Sequence, residues 1–335
     1  MGTRLAVIGL GRIGAFHAET LTGLPEVDDL IVTDERPAVT AAVAAKLGAR
    51  PVADIAAVLR AGVDGVVIAA ATPAHAPLIL AAVDAGIAVF CEKPIAGSVA
   101  ESRQVVVRLA DGDVPVQIGY NRRFDPAFVA AYNEVRSGAL GRLTTVRSTT
   151  MDPAPPPPEY VAVSGGIFRD CSVHDFDIVR WIVGREVVEV FAAGTAYGET
   201  MFVEAGDVAT AQTILTFDDG TLAVVSNTRY NGRGYDCRLE LHGSTDTVVA
   251  GWDRNAPVRN LAPGETFPEG TPHQFFMDRF AEAYRAELSA FLDVTMGRRP
   301  SPCTPQDALE VAWIAEAATL SLHQHRPITM EEVRS

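Results

Sequence analysis

Residues 4–16 read "RLAVIGLGRIGAF": a short apolar run, a glycine turn, then an alanine-rich helical pattern that continues to Leu24. A lone GxGxxG turn is a weak signal. Here the turn, Gly9 to Gly14, follows an apolar strand and opens a helix, and the next apolar run, "DLIVTD", ends at Asp34, 20 residues beyond Gly14. Together these features make the dinucleotide-binding fingerprint. Gly9 permits the tight turn, Gly11 lets the backbone approach a pyrophosphate, and Gly14 lets helix and strand pack closely. Arg12 and Ile13 lie in the same turn, where the free N–H groups of a helix start attract phosphate. The Asp34 carboxylate can accept from both ribose hydroxyls and would repel a 2′-phosphate, so NAD is expected rather than NADP. Arg36 is the nearby cation that could hold such a phosphate.

Working outward from the turn, strand and helix keep alternating. "GVVIAA" (65–70), a helix near 74–86, "AVFCEK" (88–93), a helix near 98–111 and "VPVQIG" (114–119) follow one another. Continuous apolar strands between helices mean a parallel sheet covered on both faces. Ligands of such sheets lie beyond the carboxyl ends of the strands. The loop "AATPAH", with Ala71, Thr72, Pro73 and His75, is therefore expected to cross the cofactor, and so are Glu92 and Lys93 of "CEKPIA" (91–96). His75, at a helix start, reads either as a cofactor contact or as a solvated or capping residue. Lys93 stands out by rarity: of 28 basic residues only Lys46 and Lys93 are lysines. A lysine can lose its proton near neutral pH and an arginine cannot, which makes Lys93 a candidate for chemistry.

The second half has a different texture. "LTTVRSTTM" reads as a strand, and "DPAPPPPEY" as a stiff loop. Alternating strands are expected near 187–197, 207–217, 221–230 and 235–242, with a hairpin at Asp218-Asp219-Gly220 and closing helices near 274–296 and 305–323. The reading is an α/β chain: a Rossmann domain over 1–120, then an α+β domain over 121–335 on a large, open, mostly antiparallel sheet, with the last helix expected to return to the first domain. A helix over 168–183 would carry Asp170, His174 and Asp177 on one face, since they are four and then three apart. A carboxylate there fixes the tautomer of an imidazole and supports its charged form, and the imidazole can then take a proton from an alcohol. No second histidine stands at a fitting helical spacing, so no metal site is read.

Composition narrows the partners. The chain of 335 residues has a net charge of −14 and a pI near 4.9, with the acidity spread out, which argues against nucleic acid. No apolar stretch reaches the ~18 residues of a membrane span and no leader pattern opens the chain, so a cytoplasmic protein is expected. Cys91, Cys171, Cys237 and Cys303 are far apart and suit free thiols.

"GLGRIG", "CEKP" and "GGIFRDCSVHDFD" together resemble the glucose–fructose oxidoreductase/inositol dehydrogenase (Gfo/Idh/MocA) family, over essentially the whole chain. "GYNRRFDP", the proline loop joined to the DxxxHD helix, and "RFAEAYRAELSAF" are similar to its myo-inositol 2-dehydrogenase branch. The resemblance implies NAD-dependent oxidation of a ring hydroxyl of a cyclic polyol, foremost myo-inositol to its 2-keto form. An aldose pyranose dehydrogenase and a non-catalytic cofactor-sensing regulator are the alternatives. It implies that Lys93 holds the substrate hydroxyl, that His174 is the general base and that Asp170 orients it. It also implies that Asn121, Arg122, Asp177 and Tyr235 line the polyol pocket, and that homotetramers form through the open sheet.

Overall fold

Strand β1 (Thr3–Ile8) is buried at every residue except Arg4, so it needs cover on both faces. A computed structural model describes residues 2–335 and divides them into two units, one of residues up to Asn121 together with Glu282–Glu310, the other of Arg122–Ala281 and Val311–Ser335.

In the first unit β1 is joined by β2 (Val27–Thr33), β3 (Arg50–Pro51), β4 (Gly65–Ile68), β5 (Ala88–Glu92) and β6 (Val116–Gly119). The sheet is parallel, in the order β3-β2-β1-β4-β5-β6. Ala6 pairs with Ile31 on one side and Val66 on the other. Helices Arg12–Thr22, Pro37–Leu47, His75–Asp84 and Val99–Leu109 lie between strands in the chain. Two connecting elements carry little periodic signal: β3 is two exposed residues, and the helix Ile55–Arg60 is a short piece capped by the Asp54 carboxylate on the Ala57 N–H. The helix Ala281–Thr295 is the late arrival in this unit. Its Leu288, Phe291 and Leu292 share one core cluster with Leu5, Val7, Leu21 and Phe90, and the Phe90 and Phe291 rings lie 5.8 Å apart. Each such fully buried side chain contributes about 1.5–3 kcal/mol from removal of apolar surface from water.

The second unit is built on β7 (Leu143–Met151), β8 (Val187–Thr195), β9 (Thr210–Phe217), β10 (Leu222–Thr228), β11 (Asp236–Gly243), β12 (Thr247–Ala250) and β13 (Ile328–Thr329). Their order is β12-β11-β7-β10-β9-β8-β13. Every neighbouring pair is antiparallel except β10 with β7. Burial alternates along β7 and β9, as the period of two requires when one face is covered. The helix Val173–Val183 covers β7 and β10 with a largely buried apolar face that includes Val173, Phe176, Val179 and Ile182. Among the described residues no helix is long and apolar enough to cross a membrane, and all four cysteines are buried free thiols.

Candidate active site

The glycine turn is shaped by three different constraints. Gly9 sits at φ +88°, and a β-carbon there would come within 2.6 Å of the Ala70 backbone, so no other residue fits. The β-carbon position of Gly14 is filled by the Gly9 carbonyl oxygen, the close helix–strand packing that the motif requires. Gly11 is the opposite case: nothing lies within 4 Å of where its β-carbon would stand. The helix Arg12–Thr22 starts there with no side-chain cap on its N–H groups. Open approach and uncapped donors fit a pyrophosphate.

Asp34 closes the same turn. Its Oδ2 accepts from the Leu10 N–H at 2.7 Å, and its Oδ1 accepts from the backbone N–H and the Nε–H of Arg36 at 3.0 and 2.9 Å. The Arg36 side chain chiefly, with the two backbone donors, holds the Asp34 carboxyl down to about 2 against the opposing effect of burial. Asp34 is thus an ionised acceptor at the end of β2, as a ribose diol needs, and Arg36 is folded back onto it.

Beyond the ends of β4 and β5, Thr72–Ala74 form a single 3₁₀ turn and Lys93 is half-buried. His75 is buried rather than solvated, at 2% exposure. Its Nδ1 lies 2.7 Å from the Pro94 carbonyl oxygen and its Nε2 2.9 Å from that of Ala70. Both nitrogens therefore face backbone acceptors within the fold. Glu92 likewise points inward: its Oε1 lies 2.6 Å from Nε2 of the fully buried His17. Asn121, just past the end of β6, is buried, and its amide nitrogen has no hydrogen-bond partner in the protein. A buried orphan donor there suits a ligand oxygen.

In the second unit the expected helix over 168–183 has two parts: a π-helical turn, Phe168–Ser172, then the α-helix Val173–Val183. The wider turn rotates each residue by less than an α-helix does, and such turns recur at functional sites. Asp170 is anchored from outside the helix as well. Its Oδ1 accepts from the Tyr160 hydroxyl at 2.8 Å and its Oδ2 from Arg229 at 2.6 Å. The other arm of Arg229 donates to Asp152 at 2.8 Å. One buried guanidinium thus serves two carboxylates. Burial, with Asp170 adding to it, pushes the Asp152 carboxyl up against the pull of Arg229. Asp152 and Tyr160 both come from the proline-rich segment, whose stiffness sets the distance between them.

Asp177 and Arg122, both expected in the pocket lining, are buried and ion-paired. Asp177 does not share an open face with Asp170 and His174; it is 1% exposed and gripped by Arg123 through Nε at 2.9 Å and Nη2 at 2.5 Å. Arg122 is equally buried and donates to Asp175 at 2.9 Å, a carboxylate that also accepts from Ser148, Thr150 and Asn227. Leaving either charge unpaired in the core would cost several kcal/mol. Tyr235 is buried too, and burial pushes its phenol well up, keeping it a neutral hydroxyl.

Parallel order 3-2-1-4-5-6, a glycine turn open at Gly11 and an ionised Asp34 define a dinucleotide-binding unit. Family models match both units: an oxidoreductase family with an NAD-binding Rossmann fold over residues 3–120, and the GFO/IDH/MocA C-terminal domain over residues 128–249. The chain belongs to the GFO/IDH/MocA family of NAD-dependent oxidoreductases. It is 35% identical to an inositol 2-dehydrogenase of Rhizobium meliloti, over 98% of this chain and 100% of that one. It is similar to the solved structure of a myo-inositol dehydrogenase from Corynebacterium glutamicum, with a TM-score of 0.91 and 34% identity over 98% and 99% of the two chains. A scyllo-inositol dehydrogenase from Lactobacillus casei, solved with NAD(H) and scyllo-inositol, aligns at a TM-score of 0.87 and 28% identity over 99% and 100%.

Proposed function

We propose that the protein oxidises a ring hydroxyl of an inositol to the ketone, with myo-inositol and its 2-position as the first candidate. The observation that carries this reading is full-length similarity to enzymes named for inositol oxidation. Bound NAD supplies the hydride acceptor; Gly9, Gly11, Gly14 and Asp34 are the residues that would hold it. The chain's own task is to orient the alcohol and remove its proton. In this reading Lys93 donates to the reacting oxygen and His174 takes the hydroxyl proton. Asp170 supports the imidazolium so formed, as a paired carboxylate does, and Tyr160 and Arg229 keep Asp170 in place. Asn121, through its unpartnered amide, is the polyol contact with the best support.

The test is NADH formation, read at roughly 340 nm, the reduced nicotinamide band, with inositol isomers and aldose pyranoses side by side. An aldose preferred over every inositol would replace this reading with the sugar-dehydrogenase alternative. NAD binding with no turnover on the whole panel would point to a cofactor-sensing regulator.

We also propose a homotetramer formed through the outer face of the second sheet. Phe191, Ile214, Val224, Arg147, Glu240 and Val249 form one cross-strand row on that face. Phe191, Ile214 and Val249 are 37–48% exposed, a band of apolar surface that association would cover. Light scattering after size-exclusion chromatography measures the assembly.

A further inference from the structure

Lys93 stands between two residues that are each tied to a buried histidine from a different helix. On one side, His17 of the helix Arg12–Thr22 contacts the Glu92 carboxylate at 2.6 Å. The His17 ring is fully buried and wedged edge-on against Phe90 and Tyr284, at 5.6 and 5.8 Å, so it cannot swing away. The other carboxylate oxygen of Glu92 would lie 3.3 Å from a β-carbon at residue 119; Gly119 leaves the room it needs. On the other side, His75 at the start of the helix His75–Asp84 spans from the Pro94 carbonyl to that of Ala70. His75 thereby joins the loop after β5 to the loop after β4. Neither histidine is exposed, and the contacts described here are to groups of the fold.

We infer that His17 and His75 are positioning residues for Lys93, which they hold by fixing its two chain neighbours. Glu92 is then a strut of the fold and not a cofactor contact. The inference rests on the role given to Lys93 in the proposed reaction. Its physical basis is that a reacting group displaced by ~1 Å loses about 10²-fold in rate, even when the change is remote from the chemistry.

The chain's two lysines supply the experiment. Lys46, 66% exposed and paired with Glu19, is the reference site, and its absolute labelling is required to match the parent's before a ratio is read. The folded protein is acylated with a trace of acetic anhydride, and the Lys93 to Lys46 labelling ratio is read by peptide mass spectrometry. The variants are His17→Leu, His75→Leu and His17→Gln, the last keeping a donor for Glu92. Melting temperature, NADH binding and kcat are measured on the same samples. The leucine variants are expected to change the labelling ratio by about threefold or more and to lower kcat by roughly 10-fold or more, with NADH affinity within about threefold. His17→Gln is expected to stay near the parent. Leucine variants with the parent's labelling ratio, whose kcat falls only with the folded fraction, would overturn the inference. If a leucine variant does not fold, Glu92→Ala or His75→Asn breaks the same contact and carries the same readouts with the same criteria. Labelling needs no substrate. A parent inactive on every polyol would refute the proposed reaction while the labelling ratios still decide whether the histidines place Lys93.

Discussion

Replacing Asp34 by serine should alter stability, acid sensitivity and cofactor choice together, because one carboxylate serves all three. Against an ordinary 3.8, a carboxyl held at about 2 represents roughly 2.4 kcal/mol at full strength. Solvent reaches 59% of the Arg36 side chain, and screening brings the Asp34 contribution to about 1 kcal/mol. A depressed carboxyl stabilises fully above its unfolded value, and the benefit fades as pH falls from about 4 toward about 2. Urea unfolding should therefore show a parent–variant gap of about 1 kcal/mol at neutral pH, with about half of it gone by pH ~3. For the cofactor, a phosphate charge ~5 Å from a carboxylate costs about 1–3 kcal/mol in partly screened surroundings. The serine variant removes that repulsion and releases Arg36, whose Nε–H now donates to Asp34. The ratio of kcat/KM for NAD over NADP should fall by about 30-fold or more. A ratio unchanged within about threefold, or a stability gap that widens in acid, would refute the reasoning.

Lys93→Arg keeps a cation but forbids deprotonation and changes shape; kcat should drop by roughly 10² or more, with NADH affinity by fluorescence titration little altered. His174→Ala should lose most turnover and flatten the rise of kcat with pH that follows loss of the imidazole's proton; a variant keeping both rate and pH dependence would remove His174 as the base. Tyr160→Phe deletes one of the outside bonds on Asp170; kcat should fall about 3–10-fold with melting temperature nearly unchanged, since the net worth of one such bond is about 1 kcal/mol.

Much of the first unit was legible because its signals are local. "GLGRIG" places strand, turn and helix within a few residues, and Asp34 completes the motif at a fixed spacing. β3 and the helix Ile55–Arg60 went unread because two and six residues are too few to show a period. His17 hid inside an alanine-rich helical pattern, since nothing local distinguishes a histidine facing a carboxylate 75 residues away. Arg229 was invisible for the same reason: its partners lie 77 and 59 residues back. The ion pairs of Arg122 and Asp177 were not legible either, because their partners Asp175 and Arg123 lie 53 and 54 residues away. The π turn left no trace in composition, because apolar spacing barely differs between four and five residues per hydrogen-bonded step.

The first unit's discontinuity bears on how the protein is made. Its core cluster includes Leu288, Phe291 and Leu292, so a ribosome must deliver about 170 further residues after Gly119 before that core can close. All the strands from β7 to β12 are synthesised in the interval. A fragment ending at Asn121 would leave Phe90 without Phe291 and should be sticky rather than an autonomous nucleotide-binding module. The nascent nucleotide-binding half must wait, with its apolar surface showing, for a helix encoded well over a hundred codons later.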